Sequence, residues 1–67
     1  MEKRDLTIWT EMHRTIGGRE AHGWYRTEDG MVFVETAHGS KATQIGGSDP
    51  SLLAYILLRE LADEGKV

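Results

Sequence analysis

Two histidines, His13 and His22, are the side chains of this sequence whose type and spacing come nearest to chemistry. Between them lies Gly17-Gly18, a two-residue hairpin signal. Pairing Ile16 with Arg19 across that turn sets the histidines directly opposite each other, with Cβ atoms about 5 Å apart. Glu11 and Glu20 stand two residues from them on the same face. Two imidazoles and a carboxylate form a zinc donor set, and an open fourth position would make such a site catalytic. The same residues on an open sheet also describe a solvated polar patch, or a pair that responds to protonation. The polar patch is the expectation. No metal is therefore assigned, with His13 and His22 the candidates should one bind. His38 points to the other face in this register.

Other patterns are weaker. Gly46-Gly47-Ser48 precedes a helix start, where backbone N–H groups favour anions. Asp49 puts a carboxylate where the anion would sit, however, and the lysine of a P-loop is missing. The tract reads as a capped strand-to-helix turn. Ser40, Ser48 and Ser51 lie in turns or the first helical turn, and none has the surroundings of a nucleophile elbow. Glu11 and Glu35 flank Trp24, but an open sheet does not desolvate carboxylates enough to separate their roles. The expectation is a protein that is not an enzyme and carries no cofactor.

These residues must be positioned by strands. Gly17-Gly18, Asp29-Gly30 and Gly39-Ser40 each separate runs that alternate apolar and polar residues. They divide the chain into strands at about 6–16, 19–27, 31–38 and 41–45. The pairs at the turns are Ile16 with Arg19, Glu28 with Met31, and His38 with Lys41. One face then gathers Leu6, Ile8, Met12, Ala21, Tyr25, Val32, Val34 and Ile45, with Tyr25, Val34 and Ile45 in one row. The other gathers Trp9, Trp24, Met31 and Phe33 among Glu11, His13, Glu20, His22, Arg26 and Glu35. A one-residue slip would exchange the faces, so their clean separation supports the pairing.

Asp49-Pro50 opens a helix over about 50–64, with Asp49 as N-cap, Pro50 at the first position and Gly65 as its stop. Leu53, Ala54, Leu57, Leu58 and Leu61 make one stripe at helical spacing. Leu52 and Ile56 fall on the far side, to be covered by the N-terminal arm, by the loop after strand four, or by a second subunit. The expected fold is α+β: a four-stranded antiparallel meander, order 1-2-3-4, with one C-terminal helix packed on one face. Residues 1–67 form a single small domain, with 1–5 a frayed arm, 6–45 the sheet and 50–64 the helix.

Sixty-seven residues leave no room for a second domain and a thin margin of stability. With no cysteine, disulfides are excluded and a reducing cytoplasm is the expected setting. A net charge of −3 offers no general attraction to nucleic acid or to anionic membranes. The longest apolar run, Leu52 to Leu58, is far short of the roughly 20 residues needed to span a bilayer.

A three-stranded sheet followed by a helix resembles the small DNA-binding modules of tyrosine integrases and ethylene-response factors, which insert the helix-free face into the major groove. That resemblance implies a nucleic-acid-binding module as the alternative reading. Here the docking face carries Glu11, Glu20 and Glu35 against Arg26, and phosphate contacts need the opposite sign. The stretch Asp29 to Lys66, with "GSKATQIGG" before "LLAYILLRELADEGK", is similar to small uncharacterised bacterial proteins sharing a G-S-K-x-T-Q-x-G-G tract before a leucine-rich helix. It implies a bacterial protein and brings no activity.

The functional expectation is a protein-interaction or regulatory domain, self-associating as a homodimer or binding another protein. Aromatic residues, Met and Arg are enriched in interface cores, which singles out Trp9, Trp24, Arg26, Met31 and Phe33, with Leu52 and Ile56 as a second surface.

Overall fold

A computed structural model describes residues 8–67. Its elements follow in the order β1 (Thr10–Ile16), β2 (Arg19–Glu28), β3 (Met31–Glu35), β4 (Ser40–Gln44) and α1 (Pro50–Asp63). The strands form one antiparallel sheet in the order β1-β2-β3-β4, and the helix packs against it. This is the expected α+β meander. The arm at 1–5 and Leu6 lie outside the described residues.

The first two hairpins close as their turn residues require. Gly17 and Gly18 have φ of 61° and 80°, and Asp29 and Gly30 have 54° and 74°. Two consecutive positive φ values are the primed-turn geometry whose twist matches the flanking strands. Ile16 accordingly pairs with Arg19, and Glu28 with Met31.

The third hairpin departs from expectation. Lys41 pairs with Val34 and not with His38, Ser40 pairs with Glu35, and β3 stops at Glu35. Thr36 is the cause. Its N–H donates to the Gly39 carbonyl at 2.8 Å, closing a turn over 36–39. Its hydroxyl accepts from the His38 N–H at 3.2 Å and donates to the Lys66 carbonyl, tying the turn to the C-terminal tail. Thr36 is the buried polar residue among those described. The slip is four residues, an even number, so β4 keeps the same side chains on each face. The row runs Tyr25–Val34–Lys41, and Ile45 sits beyond the end of β4, donating to the Gly30 carbonyl at 2.9 Å.

Helix α1 begins and ends on local chemistry. Asp49 Oδ1 accepts from the Ser51 N–H at 3.0 Å, and Pro50 occupies the first turn, where its missing N–H has no intrahelical role. At the other end Lys66 N–H donates to Leu61 O at 2.8 Å and Gly65 N–H to Ala62 O at 3.0 Å, with Gly65 at φ 72°. That double closure needs a left-handed residue, which glycine supplies.

The core forms where the helix stripe meets the sheet: Ala54, Leu57, Leu58 and Leu61 against Met12, Ala21, Val32 and Val34, all buried. Ile16, Tyr25, Ile45, Leu53, Tyr55 and Val67 flank it, half-buried. Ile8, expected on this face, is instead exposed. It precedes β1, so no sheet pairing holds it over the core. Fully burying a leucine contributes about 1.5–3 kcal/mol, so Leu57, Leu58 and Leu61 carry much of a small domain's stability.

Gly23 lets the helix come that close. A Cβ there would lie 2.8 Å from the Glu35 carbonyl oxygen, 3.2 Å from Leu58 Cδ1 and 3.3 Å from Thr36 Cγ2. Gly23→Ala should lower stability by about 1–3 kcal/mol, through backbone displacement in a packed core. In a thermal melt that is a drop of at least about 4 °C for a domain of this size. Gly47→Ala, where an added Cβ meets nothing within 4 Å, is the control and should leave the melt unchanged. Equal effects from the two would contradict the close approach.

Lys41 fastens β4 to the helix end. Its ammonium lies 2.7 Å from Glu64 Oε2 and 3.3 Å from Glu60 Oε1. The hydrogen bond from Lys41 holds the Glu64 carboxyl below its ordinary value near 4.5, and the one to Glu64 raises Lys41 above its own, near 10.5. A lowered carboxyl contributes stability that is present above the ordinary range and is lost as pH falls through the folded value. The raised lysine contributes below its ordinary range and loses it only at more alkaline pH. The groups are solvent-accessible, so salt screens the effect. The stability gap between wild type and Lys41→Met should therefore narrow as pH falls from about 6 to about 3. A gap independent of pH and salt would show that the lysine acts by packing alone.

Candidate functional site: the helix-free sheet face

The sheet face turned away from α1 carries the residues singled out by type. Its rows read across the registers. His13 pairs with His22; Glu11, Trp24, Glu35 and Ser40 form the next row; Arg26, Phe33 and Ala42 follow; then Glu28, Met31 and Gln44. Strand alternation alone puts them on one surface, because α1 takes the side chains of opposite parity.

Arg26 is the centre of the aromatic half. Its guanidinium carbon lies 4.7 Å from the Phe33 ring centroid and 5.4 Å from that of Trp9. Cross-strand pairing brings Phe33 to it, and Trp9 reaches it from just before β1. Glu28 pairs with the same guanidinium. Trp9, Trp24, Arg26, Met31 and Phe33 are all half-buried, and the arginine stem and the Trp9 and Phe33 rings cover one another.

The polar half is a four-residue cluster. The His13 and His22 rings stack with centroids 4.2 Å apart and planes inclined by 24°. His22 Nε2 is 2.7 Å from Glu11 Oε2, and His13 Nε2 is 3.7 Å from the same oxygen. Glu20 Oε1 stands 3.7 Å from His13 Nδ1. Trp24 closes this group on its inner side, its ring 4.5 Å from His22. One continuous surface thus runs from the histidines through Trp24 to the arginine–aromatic stack. His38 lies in the third turn, away from it.

Leu52 and Ile56 remain 55% and 41% exposed on the outer side of α1, so the loop after β4 does not cover them. Nearby, the Arg14 guanidinium carbon lies 5.9 Å from the Tyr55 ring centroid. Ser40, Ser48 and Ser51 are exposed, and Ser51 is bound to the cap carboxylate of Asp49 through both its N–H and its hydroxyl. Among the described residues no helix is long and apolar enough to cross a membrane.

Sequence reasoning named the aromatic, histidine and arginine residues of this face together with Glu11, Glu20 and Glu35, and left Glu28, Ser40, Ala42 and Gln44 unassigned. It missed how tightly Glu11 joins the histidines, because the choice among rotamers is not written in strand alternation. Gly23 and Thr36 were also missed. A glycine inside a strand is a recognised sign of close backbone approach, and Gly23 carried that signal. Comparison with protein-family profiles, curated proteins and solved structures matches none of them.

The stack on Arg26 can be measured. Arg26→Gln removes the charge over both rings and should cost about 1 kcal/mol, with a shift in tryptophan emission. Glu28→Gln removes only an ion pair with an exposed partner and should cost much less. A larger loss from Glu28→Gln would mean that the ion pair, and not the ring stacking, holds the guanidinium.

Proposed function

We propose that this protein is a small interaction domain, acting in a reducing cytoplasm, that self-associates through its helix-free sheet face. The observation that carries this reading is the content of that face. Trp9 and Phe33 stack on one arginine, with Trp24 and Met31 in the adjoining rows, on a surface that the one described helix leaves uncovered. Tryptophan and arginine dominate the energetics of interfaces, especially near their centres. Two-fold pairing is the simplest way for such a face to be covered by its own copy. Arg26 is already paired with Glu28, so the contact would rest on aromatic packing more than on new ion pairs across the axis.

Nucleic-acid binding by the integrase-like route has less support. Glu11, Glu35 and Glu28 share the face with the aromatic cluster, where phosphates would have to approach. An enzymatic role has no support in the serines, which sit in turn and cap positions.

Sedimentation at about 100 μM tests the proposal, since a dimer with a micromolar Kd is largely formed there. Wild type should sediment as a dimer, and Trp24→Glu as a folded monomer with lower stability. Ile56→Glu, on the outer side of the helix, should remain dimeric. A monomeric wild type rejects self-association. Dissociation by Ile56→Glu alone places the contact on the helix.

A further inference from the structure

We propose that Glu11, His13 and His22 bind a divalent transition-metal ion, with zinc the best fit, and that Glu20 orients one of the histidines. The inference goes beyond self-association and does not depend on it. The donor atoms of these three residues all lie within 4.8 Å of one another. Tetrahedral zinc, with bonds of about 2.0–2.1 Å to nitrogen and 2.0–2.2 Å to oxygen, holds its ligand atoms about 3.3 Å apart. The separations from Glu11 Oε2 to His22 Nε2 and His13 Nε2 are 2.7 and 3.7 Å and straddle that value. Side-chain rotation alone closes the set, because all three are accessible: His13 is 59%, Glu11 56% and His22 40% exposed.

The wider cluster has the form that metal sites use. Each strand of the first hairpin contributes a Glu-x-His pair on one face, Glu11-x-His13 from β1 and Glu20-x-His22 from β2. The antiparallel register sets the two imidazoles opposite and sends each carboxylate toward the histidine of the other strand. Glu11 then serves as the ligand between the two Nε2 atoms. Glu20 approaches His13 at Nδ1, on the ring edge away from Glu11. At 3.7 Å it is just outside hydrogen-bond distance, and on closing to that nitrogen it would hold the proton there and leave Nε2 with its lone pair for the metal. The tight turn at Gly17-Gly18 holds the two strands in this register.

Three protein ligands leave a fourth position facing solvent, open to water or to a donor from another molecule. Neutral imidazoles and a carboxylate suit zinc, copper(II) and nickel(II) better than magnesium or calcium, which take oxygen ligands.

The test titrates untagged full-chain protein with zinc sulfate by calorimetry, with cobalt(II) as a spectroscopic substitute and NMR of the histidine rings. One ion per chain should bind with a Kd in the micromolar range. The ring resonances of His13 and His22 should shift together while those of His38 stay in place. Cobalt should give the intense visible bands of a tetrahedral site. His13→Ala and His22→Ala should each weaken binding by at least about 100-fold, and Glu20→Gln by about tenfold, as for other residues that orient ligands. Each variant's melt without metal establishes that it is folded. Absence of binding to the folded wild type overturns the proposal. So does binding that survives His13→Ala/His22→Ala unchanged, or that shifts His38 first.

Discussion

One amphipathic helix can cover only one face of a sheet. Here it covers its chosen face closely: Leu57, Leu58 and Leu61 lie over Val32, Val34, Ala21 and Met12, with Gly23 leaving room for Leu58 beneath. The result is a two-layer slab whose Cα atoms span 31 × 31 × 15 Å. Among the described residues there is no third layer, so α1 leaves the second face of the sheet uncovered. The sequence does not make that face plain. It loads it with two tryptophans, a phenylalanine, an arginine and a histidine pair.

That surplus sets this sheet apart from one built only to fold. A solvated face is served by threonine, lysine and glutamate, and tryptophan there gains little unless something covers it. The chain manages part of the cover itself, because Arg26 lies against Trp9 and Phe33 and leaves them half-buried. A guanidinium stacked this way is weakly hydrated and ready to be buried further, which suits the centre of an interface. The histidine cluster at the other end of the same surface is more polar and more open. The face therefore has two chemically distinct ends, with Trp24 touching His22 at their junction.

Much of this was legible in the residues. Gly17-Gly18 and Asp29-Gly30 named their turns, and period-two alternation then separated the core residues Met12, Ala21, Val32 and Val34 from the aromatic and charged face. Asp49-Pro50 and Gly65 marked the helix ends within one residue. The third hairpin was misread because Gly39-Ser40 looks like a turn pair, whereas the turn is organised by Thr36, which bonds Gly39 and His38 locally and Lys66 on the distant tail. Local sequence holds no sign of a contact thirty residues away. Ile8 was misplaced for a related reason: alternation extends a strand on paper, but pairing begins at Thr10. At the candidate site, the opposition of His13 and His22 followed from register. The convergence of Glu11 on both rings depends on side-chain torsions that register leaves free.

The helix-free face, and not the helix ridge, is the proposed working surface. Solvent paramagnetic relaxation by an inert gadolinium chelate reports accessibility residue by residue, and NMR at increasing protein concentration follows how it changes. The indole groups of Trp9 and Trp24 and the Met31 methyl, half-buried in the single chain, should become further shielded as concentration rises. Leu52 and Ile56 should stay accessible throughout, and Val32 and Leu58 shielded throughout. Shielding that grows at Leu52 and Ile56 while that of the tryptophans does not change would contradict self-association through the sheet face.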